Sequence, residues 1–280
     1  MAELSAAIIG KGKLADEHRK GYERAGVSVI ANPREHWEDG CWFEDADMWS
    51  IVTPDHMHFE ALYFCSQIGV HVFCEKPICQ DRWEFEQCRL EYDADPNFHL
   101  RFNFPLRLHP PFLEAKALLD AKKFGSIYRV VATYHWGRRQ KMLTGWRAEP
   151  WYSLWHAAGC HMVDIVQELF DEPLDTINLD SAVERTTAEN GKLMRASFFM
   201  AGTTYEIVID GGSDDEHFHR LEVYGDKDNL FLDNREECDK SVLIPGFVEE
   251  IRSGIRNERQ TQRDFRTWEI CEKMKVMAHG

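Results

Sequence analysis

Eight cysteines are present, yet no two stand as Cys-x-x-Cys, and their spacing frames neither a disulfide scaffold nor a metal knuckle. The nearest pair, Cys74 and Cys79, flanks a proline turn, so the expectation is reduced, mostly buried thiols and no metal. Long apolar runs are missing as well: none approaches the ~20 residues of a membrane span, which leaves no membrane partner. Basic residues are in deficit, 33 Lys and Arg against 48 Asp and Glu, and the formal charge of −15 repels nucleic acid and anionic membranes at long range. No basic segment precedes the apolar residues after Met1, so no secretory signal is read and the cytoplasm is the expected compartment. Internal repeats and low-complexity tracts are absent too.

What is there fits a globular chain of two domains: 280 residues, 44% hydrophobic and 12% aromatic. Its pivotal stretch is Val70 to Asp81. Val70, Val72 and Phe73 form a short apolar run with β-branched character, stopped by Pro77, so a strand ends there carrying Glu75 and Lys76. Upstream, Ile51 and Val52 belong to a second buried strand that ends at Thr53 and Pro54 and opens a helix through His56 and His58. In an open parallel sheet, ligands sit at the carboxyl ends of the strands, which delivers these residues to one rim.

Leu4 to Ile9 reads as the first strand. Gly10, Gly12, Lys13 and Leu14 follow it as G-x-G-x-x-A before a helix reaching Arg24. In that context two glycines allow a tight turn and close approach of a pyrophosphate to the helix N-terminal N–H groups, although a bare strand-to-helix turn has the same look. Val27 to Ile30 is the second strand. About 20 positions past the loop, where such folds place an acidic residue for the adenosine ribose, stands Asn32, with Arg34 two residues on. Loss of the carboxylate together with a nearby Arg favours NADP over NAD; a solvated loop Arg is the plainer reading.

Helices over Asp81–Asp93 and Phe112–Leu119, and strands at Phe98–Asn103, Ile127–Trp136, Thr176–Arg185, Leu193–Met200, Thr204–Asp210, Arg220–Tyr224 and Leu230–Leu232, complete the reading. Prolines 105, 110 and 111 punctuate a boundary near residue 108. The expectation is α/β: a Rossmann dinucleotide-binding domain over residues 1–108, then an α+β domain over 109–280 with a largely antiparallel open sheet.

Thr53 to His58 (TPDHMH) and Gly69 to Pro77 (GVHVFCEKP) at this separation resemble the Gfo/Idh/MocA family of nicotinamide-dependent sugar and cyclitol oxidoreductases. So do Gly159 to Asp164 (G-x-H-x-x-D), GSIYRV at 125–130 and LEVYGDKDNLFLD at 221–233. The resemblance implies that Lys76 bridges the nicotinamide ribose and the substrate, and that His161 exchanges the hydroxyl proton, for which an imidazole titrating near neutrality is suited. Gly10, Gly12, Lys13, Leu14, Asn32, Arg34, Thr53, Pro54, His58, Glu75 and Lys76 are then the expected cofactor residues. Lys76, Arg147 in GWRAEP, Tyr152, His161 and Asp164 are the expected substrate residues. On α-helical spacing, Met162, Ile165, Val166 and Leu169 form a buried stripe and leave His161, Asp164 and Glu168 on another face.

Many members of that family carry an Asp four residues before the His. Here the position is Ala157, so Tyr152 or His156 fills the gap or the activity has drifted. Arg107 and His109 are weaker substrate candidates. Tyr134 and Trp136 read more readily as core or interface residues than as ligands. Three activities compete: net oxidation or reduction of a sugar, cyclitol or sugar nucleotide; glycoside cleavage through a tightly held NAD; and non-catalytic dinucleotide sensing. The expected partners are a small sugar or polyol and a second copy of the chain, in a homodimer or homotetramer built on the face bearing Tyr128, Val130 and Tyr134.

Overall fold

The computed structural model describes residues 3–31, 46–170, 179–186 and 191–280. Short apolar runs alternating with helices in the first hundred residues give β1 (Ser5–Ile9), α1 (Lys13–Arg24), β2 (Ser28–Ala31), β3 (Met48–Ile51), α2 (His58–Gln67), β4 (His71–Cys74), α3 (Arg82–Ala94) and β5 (Leu100–Phe102). The five strands pair in parallel in the order β2-β1-β3-β4-β5. β3 and β5 are buried throughout, as befits a parallel sheet covered on both faces. From β1 the chain runs first to one side and then to the other, so a topological switch point falls between β1 and β3.

Two compact units form: Met1–Pro105 with Asp239–Phe265, and Leu106–Cys238 with Arg266–Gly280. The sequence reading places 109–280 together, whereas here the chain returns to the first unit. α6 (Ile244–Ser253) lays Ile244, Phe247 and Val248 into the core formed by Ala6, Ile8, Tyr22 and Phe73.

The second unit holds α4 (Pro110–Asp120), β6 (Ile127–His135), α5 (Cys160–Phe170), β7 (Leu179–Thr186), β8 (Lys192–Met200), β9 (Thr203–Gly211), β10 (Phe218–Gly225), β11 (Asn229–Asn234) and the later part of α7 (Glu258–His279). Its sheet runs β11-β10-β6-β9-β8-β7, antiparallel except for the parallel β6–β9 pair. Val130, Ala132 and Tyr134 share one face with Tyr205, Ile207, Ile209, Leu221 and His219, and all are buried. The opposite face carries Phe199, Leu193, Val183 and Phe231, all exposed, around Glu206, which is held between Arg129 and Arg195. The expected oligomer patch is corrected in part: Tyr128 is exposed, but Val130 and Tyr134 are already buried within one chain, and Phe199, Leu193, Val183 and Phe231 lie on the opposite face. No helix among the described residues is long and apolar enough to cross a membrane.

Candidate functional site

Backbone bonding beyond the strand ends builds the rim of the first sheet. Val52 N–H donates to Ile9 O (2.8 Å), Glu75 N–H to Ile51 O (2.9 Å) and Asn103 N–H to Cys74 O (2.9 Å). The loop after β1, Thr53 after β3, Lys76 after β4 and Asn103 after β5 thus follow one another along one edge.

Gly10 and Gly12 have φ of +124° and +90°, in the region that favours glycine. A Cβ on Gly10 would lie 2.6 Å from Val52 O, while one on Gly12 would meet nothing within 4 Å. No side chain caps α1, and on the neighbouring strand end the Thr53 hydroxyl is buried with no hydrogen-bond partner among the described residues. An uncapped helix N-terminus under a glycine loop, with an orphaned hydroxyl on the next strand end, fits a dinucleotide. Lys13 lies 3.6 Å from Glu17 Oε1, and Leu14 packs on the core, which leaves Leu14 only its backbone to offer the loop. Asn32 and Arg34 lie outside the described residues.

Two expected cofactor residues turn inward instead. His58 is buried, with Nδ1 2.5 Å from Pro77 O and Nε2 2.9 Å from Thr53 O, and so ties together the loops after β3 and β4. The Glu75 carboxylate accepts from His18 Nε2 (3.2 Å) and Asn103 Nδ2 (2.7 Å). Burial pushes its pKa up, but the His18 hydrogen bond and charge, the Lys76 charge and the Asn103 hydrogen bond outweigh it and hold the carboxyl at about 2. His18 Nδ1 also meets Ser50 Oγ (2.6 Å), and Asn103 Nδ2 donates to Lys240 O (2.6 Å). Lys76 therefore follows directly on a fixed, buried anion. The sequence reading missed His18, Ser50 and Asn103; a His on the Ala15–His18–Tyr22 stripe of α1 was the available signal.

In the second unit, His161 lies on α5 against the buried face of the sheet. Its ring is 5.8 Å from that of Tyr134 and 6.3 Å from that of His219, a cross-strand neighbour of Tyr134. Tyr134 and His217 rings stand 5.0 Å apart, and the Tyr134 hydroxyl meets His217 Nε2 at 3.1 Å. Neither His217 nor His219 is foreseen by the sequence reading, because both come from β10 and the turn before it, more than 50 residues beyond His161.

The expected amphipathic face of α5 does not exist: every residue from Cys160 to Gln167 is buried. Asp164, 1% exposed, is gripped by Arg107, whose Nε lies 3.1 and 3.0 Å from its two oxygens. His109 Nε2 meets Asn234 Oδ1 at 3.2 Å. Asp164, Arg107 and His109 thus join elements of this unit to one another, and a substrate has no carboxylate to reach at 164. His156 does not replace the missing Asp. It sits in a wide π-turn (Trp155–Gly159) with Nδ1 on Ser153 Oγ (3.1 Å) and its ring against Trp268 of α7. Tyr152 is buried edge-on beneath Trp146, Trp146 stacks on Trp151 with an interplanar angle of 1°, and the Arg147 guanidinium covers the Trp146 ring at 3.9 Å.

A parallel sheet with a glycine loop at its switch point, joined to a unit built on a mixed sheet, defines a dinucleotide-binding α/β protein. Residues 5–90 match the model of the oxidoreductase family with an NAD-binding Rossmann fold, and residues 112–231 match that of the GFO/IDH/MocA C-terminal domain. The chain belongs to the Gfo/Idh/MocA oxidoreductase family. Among curated relatives, an uncharacterized oxidoreductase of Streptococcus pneumoniae is 24% identical over 208 residues, 72% of this chain and 46% of its own length. A levoglucosan dehydrogenase of Pseudarthrobacter phenanthrenivorans is 26% identical over 148 residues, 50% and 37% of the two chains. A 2,7-anhydro-N-acetylneuraminate hydratase of Mediterraneibacter gnavus is 23% identical over 204 residues, 72% and 45%. The matched stretch thus spans less than half of each of these relatives. Among solved structures, myo-inositol 2-dehydrogenase from Lactobacillus plantarum superposes with a TM-score of 0.82 at 17% identity, covering 99% of this chain and 98% of its own. The WlbA dehydrogenase from Chromobacterium violaceum, in complex with NADH and UDP-GlcNAcA, gives 0.80 at 19%, covering 99% and 94%.

Proposed function

We propose that the protein is a nicotinamide-dependent oxidoreductase that acts on a hydroxyl or keto group of a sugar, cyclitol or sugar nucleotide. The observation that carries this reading is the shared rim on which the uncapped glycine loop, the orphaned Thr53 hydroxyl and Lys76 stand side by side. The nicotinamide, when bound, supplies hydride acceptance or donation. Backbone N–H groups after Gly12, at Lys13 and Leu14, hold the pyrophosphate, and Thr53 and Pro54 border the dinucleotide. Lys76 hydrogen-bonds the reacting oxygen and stabilises charge as it develops, while His161 takes or returns the hydroxyl proton. Asn32 and Arg34, from sequence, favour NADP. Buried thiols support a reducing, cytoplasmic setting.

Calorimetric titration with NAD, NADP and their reduced forms tests the cofactor half. Gly12→Ala adds a side chain at φ +90° into otherwise clear space, so a folded variant should bind dinucleotide at least ~10-fold more weakly. Arg34→Ala should weaken NADP alone. Undiminished binding in Gly12→Ala contradicts the loop assignment, and equal binding of NAD and NADP by the unsubstituted protein contradicts the cofactor preference.

A further inference from the structure

In a chain of net charge −15, residues 137–148 carry Arg138, Arg139, Lys141 and Arg147 and no carboxylate. The segment is anchored, not loose. Arg139 N–H donates to Ser213 O (3.0 Å), Asp214 accepts from Arg139 Nε (3.2 Å) and Gln140 N–H (2.8 Å), and Met142 is buried. These contacts fix the turn to the β9–β10 connection and take up Arg139. Of the nearby acids, Asp210 pairs with His135 (3.1 Å) and Glu216 with Arg235, while Glu149 stands just past the segment. Among the described residues no carboxylate forms an ion pair with Arg138, Lys141 or Arg147.

Arg138 and Arg147 act on Lys141, and Arg138 also acts on the surroundings of His161. Burial and the charges of Arg138 and Arg147 lower the Lys141 pKa from its ordinary value. Arg138 opposes the rise that burial imposes on the Tyr134 hydroxyl, and the Tyr134 ring packs against His161. Arg147, stacked on Trp146, is pre-organised with its N–H edges open for a forked acceptor. A neutral polyol relieves none of the repulsion among three clustered cations, whereas an anion held by them relieves all of it at once.

We propose that the substrate carries an anionic group, a carboxylate or a phosphate, bound by Arg138, Lys141 and Arg147, with its reacting carbon at His161. The assignment rests on the oxidoreductase reading and narrows it from sugars in general to acidic sugars.

The test uses three sugars of one skeleton, D-glucose, D-glucuronate and D-glucose 6-phosphate, each titrated calorimetrically into the dinucleotide-loaded protein and assayed for cofactor reduction. The expected result is saturable binding of at least one anion, at least ~30-fold tighter than glucose and weakened by added salt. Arg138→Gln/Lys141→Met and Arg147→Gln, both checked for an unchanged melting profile, should each abolish most of that preference while leaving dinucleotide binding intact. Whether glucuronate or the phosphate binds better separates the two chemistries. Equal binding of glucose and both anions, no saturable binding of either anion, or an anion preference untouched in the variants overturns the proposal. Turnover of neutral sugars at full rate would sink the anion site and keep the oxidoreductase. Anion binding lost in the variants without cofactor reduction would keep the site and sink the oxidoreductase.

Discussion

At the level of single residues, local sequence reveals the groups whose meaning lies in neighbours a few positions away. Gly10 and Gly12 between a strand and a helix, and Lys76 at a strand end before a proline, are of this kind. Partners drawn from afar are invisible to it. His18, Ser50, Glu75 and Asn103 meet only because α1, β3, β4 and β5 are adjacent in the folded sheet, and Arg107 meets Asp164 across 57 residues. That second pair changes what Asp164 is expected to do. With both groups buried, Asp164→Ala should leave the Arg107 guanidinium only the longer contact to Glu168 (3.9 Å) and lower stability by about 3–5 kcal/mol in denaturant titration. A residue that merely bound substrate would instead leave the unfolding midpoint in place and raise KM.

At the level of elements, most strands and the first helices are legible because their apolar patterns have the periods of 2 and 3.6 that burial on one face demands. α7 is not, since polar groups lie on its buried side: Thr261 Oγ1 donates to Leu100 O (2.9 Å), Asp264 accepts from Phe102 N–H (3.2 Å) and Thr267 Oγ1 accepts from Gln167 (2.7 Å). α6 does show an Ile244, Phe247, Val248, Ile251 stripe, but nothing in it says which core it joins. The π-turn before α5 likewise has no sequence signature, and it buries His156 against α7. Burial, helped by Lys275, pushes that imidazole down to about 3, with Glu272 3.3 Å away. The folded state therefore holds His156 neutral while the unfolded chain takes up a proton near 6.5, so stability from this group is full above 6.5 and is lost as pH falls toward 3. His156→Gln should flatten the fall in unfolding free energy between pH 6.5 and 4 by up to about 1.4 kcal/mol per pH unit. An unchanged slope would mean that His156 is already protonated in the fold.

At the scale of the whole molecule, the family resemblance and the α/β class were readable; the return of 239–265 to the first unit was not. We propose the exposed sheet face as an assembly surface. Phe199, Leu193, Val183 and Phe231 surround a charged cluster there, and we expect light scattering at micromolar concentration to give a dimer or tetramer that Phe199→Glu converts to monomer. A monomeric mass for the unsubstituted protein would remove this expectation. The central claim, hydride transfer assisted by Lys76 and His161, is tested most directly by single-turnover cofactor reduction on an identified sugar or sugar acid. Lys76→Met should keep dinucleotide affinity within a few-fold yet slow the transfer at least ~100-fold, and His161→Ala should do the same. Unaltered turnover in both variants would contradict the account.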